Sequence, residues 1–155
     1  KILPTKMIDT EGNVVTRIKD IEANGYSSMI SVKPTTTTDT TGNQTTTAGI
    51  YIAGYNNYGQ LYTKNAVSRT NLTKVQEDKN IITMASTKNP SYQTSAIADD
   101  LGLVYTVGYN GNGEMGDDST STTTEPTSIS DASLKVNTRK IQLIKQNQKN
   151  QYKSH

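Results

Sequence analysis

Gly49-Ile-Tyr-Ile-Ala-Gly-Tyr-Asn-Asn-Tyr-Gly-Gln-Leu61 and Leu103-Val-Tyr-Thr-Val-Gly-Tyr-Asn-Gly-Asn-Gly-Glu-Met115 lie 54 residues apart and share one pattern. Self-similarity of this length marks a supersecondary unit that has been copied, each copy burying its apolar face against the next. The register runs without a gap to Val75 and Ile129. Tyr51 and Tyr105, Gly54 and Gly108, Tyr55 and Tyr109, Asn56 and Asn110, Gly59 and Gly113, and Thr73 and Thr127 are identical. Leu61/Met115 and Val75/Ile129 are apolar in both copies.

Weaker anchors extend the frame. Ile81-Ile-Thr-Met84 with Tyr92-x-x-Ser95 is matched 60 residues later by Ile141-Gln-Leu-Ile144 with Tyr152-x-x-His155, and upstream by Ile18-Lys-Asp-Ile21 with Tyr26. Pro4-Thr-Lys-Met7 matches the unit ends at Thr73-Lys-Val75 and Pro126-Thr-Ser-Ile129. The expected organisation is a unit end at 1–7, a unit at 8–75 with an insert at 33–48, a unit at 76–129, and a partial unit at 130–155.

Residue types give each unit its physical content. Ile50, Ile52 and Val104 fall in short β-branched and aromatic runs bounded by Gly and Asn, which read as half-buried strands. Gly54-Tyr55-Asn56 and Gly108-Tyr109-Asn110 follow directly, with Gly59 and Gly113 five residues after the first Gly. These residues accept a left-handed backbone or a close approach, so each segment is expected to be a tight reversal. One such strand and reversal every 54 to 68 residues implies about four short strands per unit, which suits a propeller blade better than a sandwich. The fold class expected is all-β and antiparallel: about two blades, with partial units at both ends.

Val104-Tyr-Thr-Val-Gly-Tyr-Asn-Gly-Asn-Gly-Glu-Met-Gly-Asp117 resembles the signature of the regulator of chromosome condensation repeat: a strand, aromatic-Gly-x-Asn, two variable residues, then Gly-Gln-Leu-Gly. Gly54-Tyr55-Asn56-Asn57-Tyr58-Gly59-Gln60-Leu61 matches it up to Tyr62, where the family has Gly. The chain also departs in Ala53 opposite Val107, in having no Trp before the Gly, and in lacking a Gly after Met84-Ala85. The resemblance implies a non-enzymatic propeller of about seven blades that presents loop-lined faces to protein partners. Family members include a nucleotide-exchange factor for a small GTPase that docks on chromatin, and secreted bacterial inhibitors that clamp β-lactamases. Two units and two fragments do not close such a ring. The chain therefore reads as an excerpt of a longer propeller or as a module that associates with copies of itself or other chains. A small stand-alone sheet is the plainer alternative.

Lys33-Pro-Thr-Thr-Thr-Thr-Asp-Thr-Thr-Gly-Asn-Gln-Thr-Thr-Thr-Ala48 breaks the repeat. It supplies the 14 residues by which Met7 to Val75 exceeds Val75 to Ile129. Polar and Thr-rich, it has no core to offer and is expected to be a mobile loop between two strands. Asn43-Gln-Thr45 would allow a glycan-bearing role, against tolerated drift at a loop tip.

Of 155 residues only 32% are hydrophobic, with no Phe and no Trp, so the supply of core residues is modest. Without Cys there is neither a disulfide framework nor a thiolate metal site. No run of 18 apolar residues argues for membrane insertion. The Thr, Asn and Tyr content suits a secreted or cell-surface bacterial protein, a compositional reading. The net charge of +2 hides an asymmetry: residues 1–134 carry ten Lys/Arg and fourteen Asp/Glu, and 135–155 carry six Lys/Arg and no acid. That basic stretch can be read as a nucleic-acid contact. Lysines guarding an exposed edge explain it better, because the repeat register already accounts for the segment.

No catalytic set assembles. The single His is the last residue, no Walker-type loop or His-based metal motif occurs, and no cofactor is implied. Asp99-Asp100 and Asp117-Asp118 sit beside Gly102 and Gly116, where hairpin chemistry explains them better than a carboxylate dyad or a cation site. What remains is a binding surface for a protein partner. Tyr58, Tyr62 and Asn112, on or beside the Gly-rich turns, are the residues expected to line it, against a packing role between blades for the two tyrosines. A structural surface or filament module, stacking with neighbouring chains, is the alternative function.

Overall fold

A computed structural model describes residues 6–77, 79–89 and 91–129. The unit expected at 130–155, with its basic stretch, lies outside the described residues, as do residues 1–5. Two antiparallel four-stranded sheets follow the repeat. The first pairs β1 (Ile18–Ala23), β2 (Ser27–Val32), β5 (Ile50–Gly54) and β6 (Arg69–Val75), in that order. The second pairs β7 (Ile81–Ser86), β8 (Thr94–Asp99), β9 (Val104–Gly108) and β10 (Thr123–Ile129), again in chain order across the sheet. Ser27 pairs with Gly54 and Thr94 with Gly108, so the two ladders share one register. The segments 50–54 and 104–108 are equivalent third strands, as the 54-residue spacing requires.

Alternation along the strands sends apolar residues to both faces. Met29, Ile50 and Ile52 of the first sheet, with Leu61 and Tyr62 from the connection after β5, pack on Ile81, Met84, Ile97 and Val107 of the second. This is the core between the sheets. Ile30, Val32 and Leu72 point to the other face of the first sheet and are joined there by Val15. The sheets touch where β7 meets β1 and β2. Toward β6 and β10 the gap is taken up by the connection 55–68, whose Gly59 lies against Thr124 and whose Lys64 reaches Glu125 at 3.7 Å. Two sheets packed face to face, with a turn wedged between their last strands, form a propeller-blade-like pair.

The shared register exposes a difference between equivalent positions. Ile81 and Met84 are 0% and 7% exposed, whereas their counterparts Ile18 and Ile21 are 41% and 56% exposed. Among the described residues the same apolar pattern meets a neighbouring sheet in one unit and stays exposed in the other.

The Thr-rich insert corrects the expected loop. Residues 33–48 project between β2 and β5 as a two-stranded hairpin, β3 (Thr35–Thr38) with β4 (Gln44–Thr47). Thr residues favour extended backbone, and Thr36 and Thr46 share a hydroxyl hydrogen bond of 2.8 Å across the ladder. The turn is closed by Asp39, whose Oδ1 accepts from the backbone N–H of Thr41 and of Asn43 at 2.8 and 2.9 Å. Asp9 and Asp99 make the same pattern with Glu11/Asn13 and Leu101/Leu103. Asp-x-x-Gly-x is thus one turn used three times, and Asp99 is a hairpin residue.

Two outcomes are expected. Hydrogen bonds from Thr41 and Asn43 outweigh desolvation and hold the Asp39 carboxyl at about 2, down from 3.8. Since the folded value is the lower one, the turn's contribution is complete above about pH 4 and is lost as pH falls toward 2. An NMR titration should give the Thr41 and Asn43 amides that same low midpoint. Met84→Asp places a carboxylate in the core between the sheets and should cost about 3 kcal/mol or more in urea unfolding. The equivalent change at exposed Ile21 should cost about 0.5 kcal/mol or less.

Candidate functional site

The two Gly-Tyr-Asn turns are built on one framework. Asn56 and Asn110 are fully buried. Each side-chain oxygen accepts the backbone N–H five residues on, from Leu61 and from Met115, both at 2.8 Å. The amide nitrogens complete the loops: Asn56 Nδ2 donates to Thr63 Oγ1, Asn65 O and Val67 O, and Asn110 Nδ2 to Asp117 Oδ1 and Ser119 O. Hydrogen bonds from Ser119 and Asn110 lower the Asp117 carboxyl pKa against desolvation, so that residue too belongs to the turn. Gly59 and Gly113 close the reversal with N–H bonds to the Asn56 and Asn110 carbonyls.

Gly54 and Gly108 have φ of 108° and 120°. A side chain at Gly54 would place its Cβ 2.6 Å from Ser27 Cα, and at Gly108 3.0 Å from Thr94 Cα. Both physical options, a left-handed backbone and a close neighbour, hold at once.

Tyr62 is corrected: it is 2% exposed and cannot line a partner surface. It occupies the position of Gly116 in the second unit and keeps the left-handed backbone, at φ 61° against 66°. The strain of about 1–2 kcal/mol that this imposes on a non-glycine residue is offset by burying the ring, roughly 2–3 kcal/mol. Its hydroxyl sits between the carbonyls of Ser95 and Tyr105, at 3.1 and 3.0 Å, to which its single proton is donated in turn. Burial drives its pKa well above the ordinary tyrosine value. Tyr62 therefore joins the first sheet to the second.

Tyr58 takes the packing role between the sheets while staying half-buried. Its hydroxyl donates to Ser91 O at 2.7 Å across the sheets, and its half-buried ring meets Tyr109 edge-on with centroids 5.5 Å apart. Asn112 is exposed at the tip of the second turn, with its backbone N–H and side-chain nitrogen both donating to the Glu114 carboxylate at 2.9 and 2.8 Å. Burial would raise the Glu114 pKa, but the Asn112 hydrogen bonds prevail and hold it low.

The surrounding tyrosines were legible individually but not as a group. Tyr92 stacks at a tilt on Tyr109 at 4.7 Å, and Tyr26 on Tyr55 at 6.1 Å. Strand pairing of Ser27 with Gly54 and of Thr94 with Gly108 brings the hairpin tips and the Gly-rich turns to one end of each sheet. Five of the nine tyrosines, at 26, 55, 58, 92 and 109, gather at that end. Tyr26 and Tyr92 are 57% and 47% exposed. The signal in the sequence was their place just before β2 and β8, opposite the turns.

No protein-family model matches the chain, and no curated protein does. Among solved structures, human WBSCR16 is similar over 79% of this chain, with 13% identity and a TM-score of 0.57. That protein is a β-propeller-like relative of the regulator of chromosome condensation, and the chain spans 27% of its length. The likeness is one of fold.

Gly108→Val should lower the urea midpoint by more than Gly42→Val. Gly42 is also left-handed, at φ 87°, so its replacement carries strain of about 1 kcal/mol, but nothing lies within 4 Å of the added Cβ. Gly108 adds a backbone collision, for a total of about 3 kcal/mol.

Proposed function

We propose that the chain is a non-enzymatic protein-binding module of a β-propeller built from regulator of chromosome condensation repeats. The observation that carries this reading is the tyrosine cluster at the turn end of the two sheets, with Asn112 exposed beside it. Tyrosine offers a large contact area that loses little conformational entropy on binding, and its hydroxyl keeps a polar handle at a wet rim. Tyr58, Tyr92 and Tyr109 already brace one another, which lowers the ordering cost further. The abundance of Thr and Asn on exposed hairpins agrees with action outside a bacterial cell.

A second reading rests on a separate observation. The exposed Ile18 and Ile21 repeat the positions of the buried Ile81 and Met84, so the open face of the first sheet is patterned for another blade. A neighbouring chain seated there would make the module a structural, self-stacking one.

Photo-crosslinking separates the two. A benzophenone side chain placed at Asn112 should yield one discrete adduct with a partner protein, while the same group at Gly42 in the distal hairpin should yield none. Light scattering should meanwhile return a monomer at all concentrations. Polymers that grow with concentration, and adducts between copies of the chain alone, would favour the stacking module and overturn the first reading.

A further inference from the structure

The link between the sheets at Gln60 has a counterpart of changed chemistry. Gln60 is fully buried; its side chain accepts the Tyr58 N–H and donates to the Gln93 side chain of the second sheet. Glu114 stands at the same position 54 residues on and accepts the Asn112 N–H in the same way, yet it is exposed. A carboxylate has no proton to donate, so Glu114 cannot repeat the Gln60 link and calls for a cation instead. Among the described residues no cation pairs with it.

The surface beside Glu114 has changed with it. Met29 and Ile52, paired across β2 and β5, pack on the second sheet. Their counterparts are the smaller Ala96 and Thr106, paired across β8 and β9. Met84, Ile97 and Val107 face the first sheet, so alternation turns their neighbours Ala85, Ala96 and Thr106 to the opposite, outer face. There, with Thr94 and Glu114, they line a pocket of about 210 Å³. Such a seat takes an apolar side chain with a cation beside it.

The chain itself carries a segment that supplies both. Ile81, Met84, Tyr92 and Gln93 recur 60 residues later, without a gap, as Ile141, Ile144, Tyr152 and Lys153. These lie outside the described residues, in the stretch 135–155 with six cations and no acid. Where Glu114 replaces Gln60, Lys153 therefore replaces Gln93. Both members of the link change together, from two neutral amides to two opposite charges.

We propose that residues 141–153 of this chain cover the outer face of the second sheet, with Ile141 and Ile144 on Ala96 and Thr106 and the Lys153 ammonium on the Glu114 carboxylate. Apolar burial holds the segment there, and the ion pair fixes its register. A second copy of the chain would present β1 instead, and the Asn24-Gly25-Tyr26 turn at the end of that strand has no cation for Glu114. The proposal goes beyond the protein-binding reading and does not rest on it, so its failure leaves the crosslinking outcome at Asn112 untouched.

A water-soluble carbodiimide tests it on the unaltered chain. The reagent activates a carboxylate, and an amine at ion-pair distance displaces it to form an amide, the carbodiimide leaving as a urea. Mass spectrometry of the digest should show Glu114 joined to Lys153 about tenfold or more over Lys145, whose counterpart Ala85 faces away from the adjoining sheet. In a mixture of isotope-labelled and unlabelled chains the link should stay within one copy. Ile144→Asp should lower its yield about tenfold or more, because the apolar seat is lost. Unmoved amides in β1 and β5 check that this variant is folded. Equal yields at Lys145, Lys149 and Lys153, an unchanged yield in Ile144→Asp, or links between labelled and unlabelled copies would overturn the proposal.

Discussion

The buried amides of Asn56 and Asn110 are the contacts on which the rest of the structure depends. A chain leaving β5 or β9 must reverse and travel to the far edge of its sheet, and its backbone groups must find partners while water is excluded. One Asn accepts the N–H of Leu61 or Met115 and donates to several oxygens of the returning segment, so a single side chain replaces the ladder that a strand would have provided. Gly54 and Gly108 are tied to the same requirement, since the Asn can enter only where the backbone passes tightly over the neighbouring strand.

From this anchor the inter-sheet packing follows. Holding the Leu61 N–H in place sets Leu61 into the core and fixes the direction of the next residue. In the first unit that residue is Tyr62, which reaches across to the carbonyls of Ser95 and Tyr105; in the second it is Gly116. Gln60 adds a polar link, donating to Tyr55 O at 2.6 Å and to the Gln93 side chain of the other sheet. A turn inside one sheet thus becomes the wedge that spaces two sheets.

The repeat made the sheets legible, because identical residues at one spacing tie β5 to β9, and a looser apolar pattern ties Ile18/Ile21 to Ile81/Met84, whatever the local propensities. The Thr-rich hairpin was missed for a physical reason: neither face is apolar, so alternation gives no signal, and its register is carried by Asp39 and Gly42 instead. Those two residues repeat the turn chemistry of Asp9/Gly12 and Asp99/Gly102, which is where the clue lay. Tyr62 was misjudged because a tyrosine next to a polar turn reads as surface. A tyrosine standing where the sister unit has Gly keeps the left-handed turn and must send its ring elsewhere, here into the neighbouring sheet. Tyr58 and Asn112 remained ambiguous in sequence, since only strand pairing reveals that Tyr26, Tyr92 and Tyr109 share their end.

Native-state hydrogen exchange on the Leu61 and Met115 amides tests this account most directly. Both lie outside the strands, yet each is buried and bonded to an asparagine side chain, so both should exchange as slowly as the central strand amides, through global unfolding. In Asn56→Ala the Leu61 amide should lose that protection while Met115 keeps it. Exchange at the rate of an exposed loop amide such as Asn57 in the unaltered chain would contradict the account, because the turns would then be held by something other than their buried asparagines.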